Sequence, residues 1–156
     1  MRIMKKVLMG TMAIVMGALF TSCNKGNGKE IIRVSHNQAA DHPTNIGLLA
    51  FEKYIEENLG DKYDVQIFPN ELLGSQVNTV ELTQTGAINF TVASNAILES
   101  FEDIYQIFKL PYLFTSPEHY HAVMDDKEIV DPIFKYTKKS GFEAVAWLDA
   151  GTRNFY

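Results

Sequence analysis

The sequence predicts an α/β fold with a mostly parallel sheet, because short apolar strand segments alternate with helical segments along most of the chain. The first strand segment, Ile31–Ser35, is short and rich in branched residues, and Tyr63–Phe68 alternates between apolar and polar side chains. Ile88–Ala93 is apolar enough to predict a third, central strand, and Phe142–Leu148 predicts a fourth.

The first helix is predicted to begin at Asp41-His42-Pro43. Asp41 is suited to cap the helix, and Pro43 is tolerated in a first turn. Apolar residues then recur at spacings of three, four and four, which places them on one helical face, and Gly60 is a suitable C-terminal stop. These apolar residues are Leu48, Phe51, Ile55 and Leu59.

The remaining helices are predicted from shorter patterns. A helix around Val77–Thr83 ends near Gly86, and Pro117–Met124 and Ile129–Ser140 predict two more helices. Before the helix at Pro117, Leu110–Phe114 is predicted to form an apolar loop. Strands and helices therefore alternate up to residue 148, as a parallel sheet requires.

The N-terminal 22 residues have the layout of a bacterial export signal. Three basic residues in the first six positions precede the apolar run Val7–Phe20, and Thr21 and Ser22 stand just before Cys23, the single cysteine of the sequence. The run would form about 21 Å of helix, which is shorter than the roughly 30 Å hydrocarbon core of a membrane. The pattern favours a lipoprotein signal peptide at residues 1–22, with a lipidated Cys23, over a transmembrane anchor.

The charge of the chain limits its partners. Removal of the signal takes away three of the 14 basic residues and leaves 11 against 19 acidic residues, a net charge near −8. This charge argues against nucleic acid and against attraction to anionic lipid, so membrane attachment should come from acyl chains on Cys23. The polar, glycine-rich residues 24–29 then form a flexible tether, and residues 30–156 can bury one core without any disulfide or thiolate metal site.

Polar loops follow three of the predicted strands. In parallel sheets, ligands sit beyond the carboxyl ends of strands. At those positions the chain has residues 35–38, then Ser94 and Asn95, and finally residues 151–154 with Arg153. These loops predict a pocket of amide and hydroxyl groups around one guanidinium group.

Arg153 is the candidate group for holding an anion. It and Arg33 are the two arginines that follow Cys23, and Arg33 lies inside a predicted strand. An arginine offers a planar fork that binds carboxylate with two hydrogen bonds, and an acidic protein needs such a local positive group to hold an anion. A structural ion pair with Asp149 or Glu143 is an equally good interpretation on composition alone.

Three motifs resemble the DctP-type solute-binding proteins of tripartite ATP-independent periplasmic (TRAP) transporters. They are Ile67–Ser75, then Leu110–Phe114 with Glu118–His119, and finally Trp147–Phe155 with its Gly-Thr-Arg core. Their order and spacing are similar to the family across residues 30–156. The resemblance implies one lobe of a two-lobed periplasmic-binding-protein-like fold that closes on a small organic anion and delivers it to TRAP permease subunits in the membrane.

The resemblance also implies a set of ligand-binding residues. Asn37 matches a polar position after the first strand, and Gln76 matches a helix-start position. Ser94 and Asn95 match pocket positions that vary in the family and help to set ligand choice, and Arg153 matches an arginine that binds the anionic end. The alternatives are that Asn37 satisfies turn backbone and that Gln76 is a solvated helix residue.

The ligand class and the domain content follow from the same resemblance. The pattern from His36 to Pro43 resembles family members that take sugar acids, which favours a uronate over a C4-dicarboxylate, and one of His36 and His42 is a weaker candidate for ligand contact. Residues 30–156 match the first α/β lobe, and the second lobe is absent from this chain. The expected protein is a monomer without cofactor or metal, is not an enzyme, and is lipid-anchored in the periplasm or on the outer face of a bacterial membrane.

Other functions are weighed against this one. A surface polysaccharide-binding lipoprotein would suit the anchor and the aromatic content, but the single Trp147 lies within a predicted strand. An exported hydrolase would need a base for Ser94 or a partner for Asp149, and none can be identified. A metal site at His119 and His121 is disfavoured because helix residues two apart do not share a face.

Overall fold

The computed structural model describes residues 28–149. Its strands are β1 (Glu30–Ser35), β2 (Tyr63–Phe68) and β3 (Phe90–Thr91). They form a parallel sheet in the order β2-β1-β3. The predicted α/β class and parallel sheet are therefore confirmed, and the first two strands lie where the sequence predicts them.

The helices connect and follow the strands in chain order. They are α1 (Pro43–Leu59), α2 (Gln76–Gln84), α3 (Asn95–Leu98), α4 (Pro117–Met124) and α5 (Lys127–Tyr136). Two 3-10 helices are also present: Asp103–Lys109 lies between α3 and α4, and Thr137–Ser140 follows α5. Within residues 28–149, no helix is long and apolar enough to cross a membrane.

The third strand is shorter than predicted and lies at an edge of the described sheet, not at its centre. The side chain of Asn89 explains its late start, because the backbone N–H of Arg33 donates to Asn89 Oδ1 at 2.8 Å and not to a backbone carbonyl. The residues just outside β3 still touch β1, since Asn89 N donates to Arg33 O at 3.1 Å and Val92 N donates to Ser35 O at 2.9 Å.

The predicted fourth strand, Phe142–Leu148, is wrong. Residues 142–149 have no regular secondary structure, and among the described residues no strand lies beside them. A strand exists only where a neighbour accepts and donates its backbone hydrogen bonds. Here the backbone N–H of Ala144 donates instead to the hydroxyl of Thr137 at 3.3 Å.

Of the two capping predictions for α1, the N-terminal one is wrong and the C-terminal one is confirmed. His42, not Asp41, caps α1, because its Nδ1 accepts from the backbone N–H of Thr44 at 3.1 Å and Pro43 takes the first helical position. Gly60 does end α1, but in right-handed conformation. A Cβ at Gly60 would lie 2.2 Å from the carbonyl oxygen of Glu56, so close approach of the backbone is what requires glycine there.

The buried residues form two groups, one in and around the strands and α2 and one in the second half of the described chain. Val34, Val65, Val80 and Ile88 are buried around the sheet and α2. In the second half, Tyr105 and Val130 are buried, and the ring of Trp147 packs against aromatic neighbours at centroid distances of 5.0–6.1 Å. These neighbours are Tyr105, Phe108 and Phe134. The predicted helix 129–140 is divided here between α5 and the 3-10 helix that follows it.

Candidate ligand-binding edge of the sheet

The loops with the predicted binding residues leave one edge of the sheet side by side. The pairing of the strands continues past their ends, because the backbone N–H of His36 donates to Phe68 O at 3.1 Å and that of Val92 donates to Ser35 O at 2.9 Å. Parallel strands present their carboxyl ends at the same edge. The loop after β1 and the loop after β3 therefore start as neighbours, as the sequence predicts.

The loop after β1 is held by backbone hydrogen bonds from the loop after β2. The N–H of Glu71 donates to His36 O at 3.1 Å, and the N–H of Asn70 donates to Gln38 O at 3.0 Å. Asn70 and Glu71 have φ of 54° and 57°, a left-handed conformation that is uncommon outside glycine. The backbone carbonyl groups on both sides of Asn37, those of His36 and Gln38, are therefore held in place.

The ring of His36 supports this loop from inside the protein. His36 is only 2% exposed, and its Nδ1 accepts from the backbone N–H of Gln38 at 3.2 Å. Nε2 therefore carries the proton and donates to Asn45 Oδ1 at 2.9 Å, while Asn45 Nδ2 donates to Ala40 O at 2.7 Å. Both ring nitrogens are used, so His36 is a support of the loop and not a free ligand contact.

Gln76 and Ser94 are brought into direct contact. Oε1 of Gln76, the first residue of α2, accepts from the backbone N–H of Ser94 at 2.7 Å. The carbonyl of Gln76 accepts from the hydroxyl of Thr79 at 3.0 Å, and Thr79 accepts in turn from the hydroxyl of Thr91 at 2.8 Å. These bonds tie the start of α2 to β3 and to the loop after it.

The other predicted site residues lie at the same edge or outside the described part. Asn37 is half-buried, and its Oδ1 accepts from Gln38 Nε2 at 3.2 Å. Ser94 is exposed at the start of α3 and makes no capping bond with its hydroxyl, and Asn95 begins that helix. Arg153 and the lipidation residue Cys23 fall outside residues 28–149, so their predicted roles stay predictions.

The structure also locates the residues that were weighed for other roles. Within residues 28–149, no three metal-ligating side chains lie close enough together to hold an ion. His121 Nε2 lies 4.0 Å from Asp149 Oδ2, and Nδ1 of His119 accepts from Thr115 N at 3.3 Å. Glu143, one alternative partner for Arg153, pairs with Lys138 Nζ at 2.9 Å.

A groove of about 560 Å³ lies away from the strand ends, between α4, α5 and the segment 145–149. Its walls carry the carboxyl groups of Asp125, Asp131 and Asp149, with Lys127 as a cation. Burial, and secondarily the charges of Asp149 and Asp125, raise the pKa of the Tyr120 hydroxyl. A wall with this excess of carboxylates does not suit an organic anion, so the candidate site remains at the sheet edge.

The sequence predicts Asn37, Gln76, Ser94 and Asn95 as site residues but does not indicate the residues that support them in the structure. Asn45 lies nine positions after His36, and no local pattern marks the two as partners. The left-handed backbone at Asn70 and Glu71 has no local sequence signal, because Gly74 nearby is the residue that adopts positive φ most easily.

A parallel sheet with polar loops at its carboxyl edge is the architecture of one lobe of an α/β periplasmic solute-binding protein. The sequence profile of the bacterial extracellular solute-binding proteins, family 7 (DctP), matches residues 34–156. The chain therefore belongs to this family.

Solved and curated relatives agree with this assignment. A crystal structure of a TRAP periplasmic solute-binding protein from Anaerococcus prevotii, with bound α/β-D-glucuronate, is 67% identical with a TM-score of 0.77, and the match covers 79% of this chain and 40% of that one. The uncharacterized protein YiiZ of Salmonella typhimurium is 35% identical over 96% of this chain and 44% of its own length. The C4-dicarboxylate-binding periplasmic protein DctP of Shewanella loihica is 26% identical over 96% of this chain and 43% of its own. The chain spans less than half the length of each relative.

Proposed function

We propose that the full-length protein is the extracytoplasmic solute-binding subunit of a TRAP transporter and that its ligand is a sugar acid of the hexuronate class, such as glucuronate. The observation that carries this proposal is the 67% identity to a TRAP solute-binding protein that holds D-glucuronate. The C4-dicarboxylate-binding relative is only 26% identical, so a dicarboxylate is the less favoured ligand. The protein performs no catalytic step and hands its solute to membrane permease subunits.

The chemistry of the sheet edge supports a ligand of this kind. A hexuronate carries one carboxylate and several hydroxyl groups, which bind to amide and hydroxyl groups and to one cation. The edge offers the side chains of Asn37, Gln76, Ser94 and Asn95. Arg153 would supply the fork for the carboxylate. Closure of a second lobe would add the remaining contacts and exclude water.

Calorimetric titration of the full-length protein without its signal tests this proposal. We expect 1:1 binding of D-glucuronate, weaker binding of succinate, and binding of neutral D-glucose weaker by about 100-fold, because two charge-assisted hydrogen bonds to the carboxylate are lost. Arg153→Lys should weaken glucuronate binding, since lysine keeps the charge but not the fork. The matched control Arg33→Lys should bind as the wild type does.

Two results would contradict the proposal in different ways. If no sugar acid and no dicarboxylate binds the folded protein, the receptor function is wrong. If succinate binds more tightly than glucuronate, the receptor function stands and the sugar-acid class is wrong.

We further propose that Cys23 carries lipid and that the protein acts as a monomer on the outer face of a bacterial membrane. The support is the export-signal pattern that ends at Cys23. Buried acyl chains contribute about 0.8 kcal/mol per CH₂ to membrane attachment. The wild type should therefore enter the detergent phase and incorporate labelled fatty acid, and Cys23→Ala should do neither. Recovery of unlabelled wild-type protein in the aqueous phase would contradict the anchor, and light scattering of the released protein checks the monomer.

The polysaccharide-binding alternative gains no support from Trp147, the single tryptophan of the sequence. The ring of Trp147 lies 5.0 Å from that of Phe108 and 5.2 Å from that of Phe134, and its Nε1 is buried. Trp147 is half-buried, and these ring contacts cover part of the surface on which a polymer would stack.

A further inference from the structure

We propose that the turn Leu110–Leu113 is a docking surface for the second lobe of the full-length chain, and that the ring of Tyr112 fills an uncharged, apolar pocket of that lobe while no ligand is bound. The inference rests on the proposed function only in taking the full-length protein to have two lobes. The length of the relatives supports this, since the matched part is 40% of the Anaerococcus prevotii structure and 44% of the Salmonella typhimurium protein.

The backbone of this turn has a conformation that does not suit the residue at its tip. The N–H of Leu113 donates to Leu110 O at 3.4 Å, which makes Pro111 the second and Tyr112 the third residue of a β-turn. Tyr112 has φ of 60°. A positive φ at the third position marks a type II turn, where glycine or asparagine is usual. A residue with a Cβ there lowers the folding equilibrium constant by about 5- to 30-fold.

Within residues 28–149, burial of the ring does not offset this cost. The side chain of Tyr112 is 94% exposed in that part of the protein, and Leu110 and Pro111 beside it are exposed as well. The strain is present for as long as the protein is folded, so the contact that offsets it should be equally permanent. A permanent contact favours a partner in the same polypeptide over a transient one in the membrane.

The turn is well suited to docking because both of its ends are anchored. Lys109, just before it, forms an ion pair with Glu99. Just after it, the ring of Phe114 packs edge-on against that of Tyr120 at a centroid distance of 5.0 Å. A surface whose base is already fixed loses little entropy when a partner covers it.

The composition of the turn indicates the chemistry of its partner. Residues 110–117 contain no charged side chain, although 21% of the whole chain is charged. The buried centre of an interface is depleted in charge and enriched in tyrosine. A tyrosine needs an apolar pocket with a hydrogen-bond partner for its hydroxyl at the rim. An anionic lipid surface is the less suitable partner, because the chain after residue 22 has 19 acidic against 11 basic residues.

Urea unfolding of the full-length protein without its signal compares two glycine substitutions. Tyr112→Gly and the matched control Glu71→Gly both relieve a positive φ at an exposed residue, so they differ in the side chain that is removed. We expect Tyr112→Gly to lower the folding equilibrium constant by about 10-fold or more, because losing a docked ring outweighs the relief of strain. Glu71→Gly should raise it by about 2- to 5-fold. A constant for Tyr112→Gly equal to or above that of wild type would overturn the inference.

Nitration by tetranitromethane, located by mass spectrometry, tests the wild type and needs no variant. The purified protein is used as a dilute monomer without ligand, so that no permease, membrane or second copy can cover the ring. Tyr112 should react about 10-fold more slowly in the folded protein than in urea. Tyr54, which is 63% exposed on α1, is the reference and should react about equally fast in both.

Three nitration results would overturn the inference. Equal rates for Tyr112 in the folded protein and in urea would show that the ring is free. Protection that appears only at high protein concentration would indicate a second copy, and protection that requires D-glucuronate would indicate a contact made only on closure. The unfolding and the ligand-free nitration measurements involve no sugar acid, so a failure to bind one would contradict the proposed function and leave this test standing.

Discussion

His36 and Asn45 are joined by a buried hydrogen bond of 2.9 Å that links helix α1 to the loop carrying Asn37. His36 Nδ1 accepts from the backbone N–H of Gln38, so Nε2 must donate to Asn45. The conformation of a candidate binding loop thus depends on a helix residue that is 4% exposed.

Asn45→Ala should lower the free energy of unfolding by about 1–3 kcal/mol, because it leaves the His36 Nε2–H and the Ala40 carbonyl without their partner. Urea unfolding measures the change. Asn58→Ala is the control on the same helix, since Asn58 is exposed and its Nδ2 donates to Tyr54 O at 2.8 Å; its expected loss is below about 0.5 kcal/mol. Equal losses in the two variants would show that the buried pair does not stabilise the protein.

Glu71→Gly should stabilise the protein. Glu71 has φ of 57°, which costs a residue with a Cβ about 1–2 kcal/mol. Glycine removes that strain and adds only about 0.4–1 kcal/mol of unfolded-state entropy, so a net gain of about 0.5–1 kcal/mol is expected. The neighbour Leu72 has no positive φ and is 67% exposed, so Leu72→Gly should destabilise. A loss of stability in Glu71→Gly, measured by urea unfolding, would mean that its side chain contributes more than the backbone strain costs.

Local patterns predicted the elements whose structure is decided locally. The alternation in Tyr63–Phe68 and the apolar periodicity from Leu48 to Leu59 gave β2 and α1 close to their observed bounds. The segment Phe142–Leu148 has the composition of a strand as well, but a strand also needs a neighbour, which composition cannot report. The late start of β3 depends on one side chain, Asn89, that takes the place of a backbone acceptor.

The candidate site was predictable as a set of positions but not as a network. The family resemblance marked Gln76 and Ser94 separately, and the parallel-sheet rule placed the polar loops at one edge. The hydrogen bond between Gln76 and Ser94 joins residues 18 positions apart, and that between His36 and Asn45 joins a loop to a helix. Such partnerships depend on tertiary packing, for which a single sequence carries no local signal.

Tyr105→Phe should leave the protein at least as stable at neutral pH. Tyr105 is fully buried, and its hydroxyl makes no hydrogen bond of ordinary geometry among the described residues, although Thr137 lies near enough to lower its pKa in part. The substitution therefore removes a poorly satisfied polar group. Burial, and secondarily the charge of Glu102, raise the pKa of Tyr105 to about 12. A raised native pKa means that wild-type stability falls as pH rises from about 10 towards 12.

The alkaline part of this prediction has its own control. Urea unfolding at pH 7 and above pH 10 should show a smaller alkaline loss in Tyr105→Phe than in wild type. Tyr54→Phe, at a residue that is 63% exposed, should leave the loss unchanged. A marked loss of stability in Tyr105→Phe at pH 7 would indicate that the hydroxyl does have a partner.

Glu102→Gln should weaken the acid sensitivity of the fold. The hydroxyl of Ser140 donates to Glu102 Oε1, and Lys139 Nζ lies 3.2 Å from Oε2. The bond from Ser140 is the main cause that lowers the pKa of Glu102 below its ordinary value of 4.5, with help from Lys139 and against the effect of burial. The native carboxyl therefore binds its proton more weakly than the unfolded one, so its contribution is present above pH 4.5 and is lost as pH falls through the lowered pKa.

The measurement is the free energy of unfolding in urea at pH 7, 4.5 and 3.5. Wild type should lose more stability than Glu102→Gln between pH 4.5 and 3.5, because the glutamine has no proton to bind, and the variant should be the less stable of the two at pH 7. Asp103→Asn is the matched control, since Asp103 is exposed and bonds Gln106 Nε2 at 3.1 Å within its own 3-10 helix. The contrary result is that Glu102→Gln and Asp103→Asn both lose stability over this range as steeply as wild type does. That result would show that the charge of Glu102 does not stabilise its contact with the 3-10 helix Thr137–Ser140.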